Sequence, residues 1–193
     1  MFPQEDEAAL VRHGTVSVEY RDPRDRAELS AVYRAWDSAA ADLRAIGLTV
    51  PAVRIEAAKD AADFAARTGE PASIAASTLR VGHPAVIRTQ RLSALAARGL
   101  LPTTIRHEAF HAAQPAGIAR WLAEGLARNF SGEGRGDPTK PTTLESLNGA
   151  ELDAALLARD PSRLKAAYRE ATRRAAALLG RQGWRALLGL PPR

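Results

Sequence analysis

Hydrophobic and polar residues alternate in the first half of the chain in the way that half-buried strands require. Val16, Val18 and Tyr20 occupy every second position of the segment 14–20, and alternate side chains of a strand point to the same face of a sheet. The turn signal Gly82-His83-Pro84 separates two further runs of this kind. The pattern therefore predicts a small β-sheet, with strands at 14–20, 52–56, 72–81 and 85–89.

The spacing of apolar residues changes to that of a helix after residue 24. Leu29, Val32, Trp36 and Leu43 fall on one helical face, and Gly47 is a typical residue to follow a helix end. The same reasoning predicts helices at 24–46, 59–67, 91–97, 103–114, 118–130, 149–159, 161–179 and 183–188. A small mixed sheet followed by a helical C-terminal half is an α+β arrangement.

Length and composition bound the class of protein. A chain of 193 residues with 46% hydrophobic and 25% charged residues is expected to form one domain over 1–193, with a sheet-containing half at 1–100 and a helical half at 101–193. No uncharged apolar run reaches 18 residues, so we expect no membrane span. The opening residues lack the order of a signal peptide, which predicts a cytoplasmic protein by default, with export of a longer precursor as the open alternative. Because the chain contains no cysteine, any metal site must use histidines and carboxylates.

Positive charge is concentrated near the C-terminus. The net charge is +5, and residues 160–193 contain eight Arg and Lys against two acidic residues. The simplest interpretation is the solvated face of a helix. Nucleic-acid binding is not expected, because no nucleic-acid motif accompanies the charge and only 5% of residues are aromatic. A basic protein that binds anionic polymers is the remaining hypothesis of this kind.

The segment 131–143 is rich in Gly, Pro, Ser and Thr and is predicted to be a loop. It contains Gly132, Gly134 and Gly136 at alternate positions. No predicted strand precedes these glycines and no Gly-Lys-Ser/Thr follows them, so a phosphate-binding loop is not predicted.

The strongest chemical signal is His107-Glu108-Ala109-Phe110-His111, an HExxH motif on a predicted helix. Residues four apart lie on the same helical face, so both imidazoles can reach a single Zn²⁺ ion. Glu108 then lies beside the metal, where it can take a proton from a water molecule. The motif predicts a catalytic zinc site.

A catalytic zinc ion needs a third protein ligand and one open position. No histidine follows His111, and Gly117 stands where metzincin spacing would require a histidine. A downstream third ligand must therefore be a carboxylate, and Glu124 on the next predicted helix is the candidate. We expect the small residues Ala123, Gly125 and Ala127 to let this helix approach the HExxH helix closely.

Together, IRHEAFHAAQ and ARWLAEGLARNF resemble the gluzincin-type peptidases of the peptidase MA superfamily, which carry HExxH, a short turn and a WLxEGxA helix. The resemblance implies a zincin-like fold with the sheet packed on the HExxH helix. It also implies that His107, His111 and Glu124 bind zinc and that Glu108 acts on water. Tyr168, at the start of the long C-terminal helix, is the candidate to stabilise the oxyanion, and its alternative role is packing against the helical core.

The chain departs from this family at one position. Many gluzincins have an Asp four residues after the ligand Glu, which holds a ligand His, whereas this chain has Arg128. The sequence therefore leaves three candidates for the missing acceptor: Asp137, Glu145 or a backbone carbonyl.

These observations predict a zinc-dependent peptidase that acts on a peptide or protein substrate. The strand at 72–81 is expected to pair with the extended substrate, by analogy with the fold. The alternative is a zincin-fold module that binds zinc or peptide with little or no catalytic activity. The oligomeric state is left open by the sequence.

Overall fold

A five-stranded mixed sheet forms the first half of the chain. The computed structural model describes residues 8–71, 74–80, 83–137 and 139–191. The strands are β1 (Ala9–His13), β2 (Val16–Tyr20), β3 (Val53–Ala57), β4 (Ala76–Leu79) and β5 (Ala85–Thr89). Their order in the sheet is β1-β2-β3-β5-β4, in which β2, β3 and β5 are parallel and both edge strands are antiparallel to their neighbours. The predicted α+β class with a small mixed sheet is confirmed.

Helices occupy the connections within the sheet and most of the second half of the chain. They are α1 (Leu29–Ala45), α2 (Ala61–Thr68), α3 (Leu92–Ala97), α4 (Leu101–Ala113), α5 (Arg120–Ser131), α6 (Gly149–Ala155) and α7 (Pro161–Leu187). The two predicted C-terminal helices are the two parts of α7, because Gly183 has φ 74° and ψ 169° and interrupts it. No helix of the described residues has both the length and the apolar character needed to cross a bilayer.

The main differences from the expected elements lie at the two edges of the sheet. The pattern does not predict strand β1, because its sequence ALVRH has no clear alternation; the strand is positioned by pairing with β2 across the turn at Gly14 (φ 55°). The strand predicted at 72–81 is shorter and spans Ala76–Leu79. Residues 72, 73 and 81 of that prediction lie outside the described residues.

The two faces of the sheet differ in chemistry. On one face, side chains such as Val18, Ile55 and Ile87 are fully buried in the main apolar core, which Trp36 of α1 and Phe110 of α4 also enter. The opposite face carries an ion-pair ladder that runs across three strands and consists of Glu19, Arg54, Glu56 and Arg88. Helix α4 packs against the apolar face and lies beside the edge strand β4. The HExxH residues of α4 are therefore next to this strand.

Helix α5 packs closely against α7 at Gly125. A Cβ atom on Gly125 would lie 2.3 Å from the carbonyl oxygen of Ala171 and 2.7 Å from Cβ of Ala175. The sequence analysis expects Gly125 to permit close approach to the HExxH helix α4. That expectation is wrong, because the close contact at Gly125 is with α7. The glycine lets the backbones of α5 and α7 touch, and so sets where Glu124, its neighbour, is held.

We expect Gly125→Ala to destabilise the fold by about 1 to 3 kcal/mol, because the added methyl group must displace the backbone of α7. Gly180→Ala is the matched control, since Gly180 lies in α7 and a methyl group added there would meet no atom within 4 Å. This control should be neutral or stabilising by up to about 1 kcal/mol through helix propensity. Thermal and urea unfolding measure both variants, and equal stability of the two would contradict the packing argument.

Candidate metal centre

Three potential ligand atoms from α4 and α5 converge on one point. Nε2 of His107 lies 3.0 Å from Nε2 of His111, and each of these nitrogens lies 3.5 Å from Oε2 of Glu124. Ligands of a tetrahedral zinc ion, bound at the usual 2.0 to 2.2 Å, are about 3.4 Å apart. The two nitrogens and one carboxylate oxygen thus match the spacing and the donor types of a zinc site with one position left for water. They are the one group of at least three such donors found together among the described residues.

Helix geometry accounts for this convergence. His107 and His111 are one turn apart on α4, and α4 ends at Gln114, whose extended backbone (φ −63°, ψ 148°) turns the chain away. Gly117 adopts φ 82° in the connection to α5, a conformation that favours glycine. The chain therefore reverses within a few residues and brings Glu124, in the second turn of α5, against the two histidines.

Both histidines have an acceptor near the ring nitrogen that faces away from the site. Nδ1 of His111 lies 3.3 Å from Oε1 of Gln114, and Nδ1 of His107 lies 3.2 Å from Oε1 of Glu133. The second pair is within ion-pair distance but forms no hydrogen bond. An acceptor at Nδ1 leaves Nε2 free as a metal ligand.

The carboxylate that lies near Nδ1 of His107 belongs to Glu133, which was not among the candidates for the missing Asp. The three sequence candidates were Asp137, Glu145 and a backbone carbonyl, and within the described residues none of them accepts from His107. The carboxylate of Asp137 instead accepts from Nη2 of Arg128 at 2.8 Å, and the side chain of Glu145 is exposed.

Arg128 holds Glu133 in place. Its guanidinium donates to Oε2 of Glu133 at 3.1 Å and to Oγ1 of Thr172 on α7 at 2.8 Å. The arginine that stands where gluzincins carry an Asp thus contributes indirectly, since it fixes a carboxylate that comes from a later segment.

The glycines that follow α5 serve this same arrangement. Gly132 ends α5 in a left-handed conformation (φ 86°), and a Cβ on Gly134 would lie 2.5 Å from Cγ2 of Thr172. A short 3-10 helix at Glu133–Gly136 therefore packs directly on α7. An acidic residue between two glycines, immediately after the ligand helix, is the sequence signal that could have identified Glu133.

The charges of the site balance one another. Burial acts to raise the pKa of Glu124, but His107 and His111 outweigh it and hold that pKa well below its usual range. Burial acts to lower the pKa of His107, but the carboxylates of Glu124 and Glu133 outweigh it and raise that pKa well above its usual value. Burial would likewise raise the pKa of Glu133, yet His107 and Arg128 lower it. Glu124 therefore remains ionised, which is the form that binds a metal.

Glu108 lies beside the three ligands and is tied to the sheet. Its side chain is only 6% exposed, and its Oε2 accepts a hydrogen bond of 2.6 Å from Oγ1 of Thr78 on β4. Thr78 was not among the residues expected at the site. The bond orients the carboxylate and links α4 to the edge strand β4.

Tyr168 of α7 lines the same cleft. Burial, and then the negative charge of Glu124, raise the pKa of its hydroxyl far above the usual value. Within the described part of the chain that hydroxyl donates no hydrogen bond, while the ring packs against a small apolar cluster that includes Trp121. Both roles expected from the sequence, packing and donation into the site, are thus compatible with its position.

A cleft of about 1100 Å³ opens above these residues. Residues Ala76–Thr78 of β4 form one wall, and the end of α6 with the start of α7 forms the opposite wall. His107, Glu108, His111 and Glu124 lie between the two walls.

Comparisons of the chain with protein-family models, with curated proteins and with solved structures find no match in any of the three.

We expect the purified protein to bind one zinc ion, and His111→Ala and Glu124→Ala to lose it, because each removes one of three converging donors. Glu133→Gln should retain zinc but weaken its affinity by about tenfold to a hundredfold, as loss of an orienting carboxylate does. Mass spectrometry of metal content and competition with a chelating dye measure these effects. A wild-type protein that takes up no zinc after supplementation would contradict the site.

Proposed function

We propose that this protein is a zinc-dependent peptidase with a zincin-like fold, similar to the gluzincins. The observation that carries the proposal is the convergence of His107, His111 and Glu124 with spacing that fits one zinc ion, beside Glu108 and at the base of a cleft. An open metal position next to a buried carboxylate is the arrangement needed for hydrolysis by an activated water.

When bound, zinc would supply a Lewis acid that lowers the pKa of a water molecule and polarises the substrate carbonyl. Glu108 accepts the proton of the attacking water and later delivers it to the leaving amine. Its bond to Thr78 engages Oε2, which leaves Oε1 free to face the water. Burial of Glu108 and His107 limits the access of bulk solvent to this step.

Tyr168 supports the same reaction from the opposite wall. When water attacks the carbonyl carbon, the negative charge develops on the carbonyl oxygen, and this oxyanion needs a hydrogen-bond donor directed at it. A tyrosine hydroxyl carries its proton at neutral pH, and burial, which raises the pKa of Tyr168, keeps it in that form. It is therefore suited to donate to the oxyanion.

Strand β4 provides a place for the substrate backbone. It is one of the two edge strands of the sheet, and among the described residues no strand pairs with the backbone groups on its outer side. An extended peptide can add to such an edge through main-chain hydrogen bonds. A peptide in this position would pass directly over Thr78 and Glu108.

The alternative function is a module that binds zinc or peptide with little or no activity. The absence of an Asp four residues after Glu124, where the chain has Arg128, favoured this alternative, because a ligand histidine then lacks that orienting carboxylate. Glu133, held by Arg128, places a carboxylate 3.2 Å from Nδ1 of His107. The balance of observations therefore favours the enzyme.

We expect Glu108→Gln to keep zinc and fold but to lower kcat/KM by about a hundredfold or more, since it removes the general base. Hydrolysis of a mixed library of quenched fluorescent peptides by the zinc-loaded protein measures this. Glu145→Gln, at an exposed surface position, is the matched control and should retain full activity. Absence of turnover in the zinc-loaded wild type would favour the binding module instead.

Tyr168→Phe should lower kcat by about a hundredfold with little change in KM, if its hydroxyl stabilises the oxyanion. Zinc content and melting temperature should remain those of the wild type, because the ring and its packing are preserved. Steady-state kinetics on a single cleaved peptide provide the measurement. An unchanged kcat would show that Tyr168 serves only to pack the helices.

A further inference from the structure

The walls of the cleft carry cationic side chains that the protein itself does not neutralise. Within residues 8–71, 74–80, 83–137 and 139–191, these side chains make no ion pair. Their one hydrogen bond within these ranges is donated by Arg80 to the carbonyl oxygen of Pro115, at 3.5 Å. The five residues are Arg80, Arg120, Arg159, Lys165 and Arg169.

The acidic residues of the cleft offset this charge only in part. Glu108 and Glu124 belong to the candidate metal site, and Asp137 is bound to Arg128 at 2.8 Å. Glu70 is the one other carboxylate among the described residues that line the cleft. A concave surface lined mainly by one sign of charge attracts ligands of the opposite sign, and its walls strengthen that field.

Four basic residues of α7 form two pairs with different surroundings. Arg173 and Arg174 are both bound to the buried carboxylate of Glu170. Lys165 and Arg169, one helical turn apart and on either side of Tyr168, face the cleft. The excess of positive charge at the C-terminus is therefore directed in part toward the candidate active site.

Apolar side chains lie among these cations. Leu157 is 65% exposed, the most exposed of the large hydrophobic residues described, and it borders the cleft together with Leu164 on one side and Ile74 on the other. A ligand that fills the cleft therefore meets apolar surface close to several cations.

From these contacts we infer that the cleft selects acidic peptides, in which Asp or Glu side chains flank an apolar residue in a segment that pairs with β4. This inference rests on the proposed peptidase function for the fate of the peptide, whereas the selectivity rests on the charges of the cleft. The carboxylates lie against Lys165, Arg169 and Arg159, and the apolar residue packs near Leu157.

A peptide fits the cleft better than a nucleic acid does. Unspecific binding of single-stranded nucleic acid relies on aromatic side chains on which bases stack. Among the described residues that line the cleft, Tyr168 is the one Phe, Tyr or Trp. The edge strand, by contrast, presents backbone donors and acceptors that match an extended peptide.

The test uses the full chain with Glu108→Gln, so that binding is measured without turnover. The probes are three dye-labelled, end-blocked peptides of eight residues, identical except that the two residues beside a central Leu are both Glu, both Gln or both Lys. Fluorescence polarisation should show the Glu peptide binding about fivefold to tenfold more tightly than the Gln peptide, with the Lys peptide weakest. The preference should shrink between about 0.05 and 0.5 M salt, because exposed charges are screened.

Two comparisons separate the charged wall from other causes. The preference should persist after zinc is removed with a chelator, which excludes direct binding of the peptide carboxylates to the metal. It should be lost in Lys165→Gln/Arg169→Gln and kept in Arg163→Gln/Arg181→Gln, an equal change of charge on exposed positions of α7 outside the cleft. Arg159→Gln, an exposed residue between α6 and α7, replaces the first pair if that variant does not fold.

Equal affinity for the Glu and Gln peptides in the folded protein would overturn the inference. A preference for the Glu peptide that survives in Lys165→Gln/Arg169→Gln would also overturn it. So would a single-stranded oligonucleotide of eight nucleotides that displaces the labelled Glu peptide at a lower concentration than the unlabelled Glu peptide does. Failure of the proposed function gives a different result: the wild type hydrolyses none of the peptides, while the preference for Glu remains.

Discussion

The spacing of three donor atoms, two on α4 and one on α5, is the constraint on which the rest of the second half depends. In the proposed zinc site each ligand distance should lie within about 0.2 Å of its usual value, so the two helices could not move independently once zinc is bound. Helix α5 is held from its other side by α7, whose backbone lies where a Cβ of Gly125 would be. The contact that fixes the third ligand also brings Tyr168 to the cleft and Thr172 to Arg128. Packing and chemistry are therefore coupled through a single glycine.

The surroundings of His107 illustrate how the same physical requirement can be met from a different place in the chain. An imidazole that binds a metal through Nε2 benefits from an acceptor at Nδ1, but the acceptor need not lie on the ligand helix. Here the carboxylate of Glu133, in the 3-10 helix after α5, lies 3.2 Å from Nδ1 of His107, and the guanidinium group of Arg128 holds it. Arg128, which replaces the Asp that many gluzincins carry, stabilises the carboxylate that lies near His107.

The distribution of positive charge has a related explanation. Arg173 and Arg174 neutralise Glu170, a buried carboxylate that also accepts from Thr142 and so ties the loop before α6 to α7. Lys165 and Arg169 have no such internal partner within the described residues and border the cleft. One basic helix thus stabilises the fold with some of its charges and gives the cleft its electrostatic character with others.

The amino-acid sequence by itself determined the α+β class, most of the helices and strands, the shared helical face of His107 and His111, and the selection of Glu124 as the candidate third ligand. These follow from local periodicity and from spacing along one helix, which act over a few residues. Strand β1, Thr78 at Glu108, Glu133 at His107 and the true partner of Gly125 were decided only by the tertiary structure. Each depends on a contact between segments far apart in the chain or on a backbone path through a loop, and neither leaves a periodic pattern. The orientation of Lys165 and Arg169 belongs to the same group, because a charge on a helix becomes a feature of a cleft only when another element forms the opposite wall.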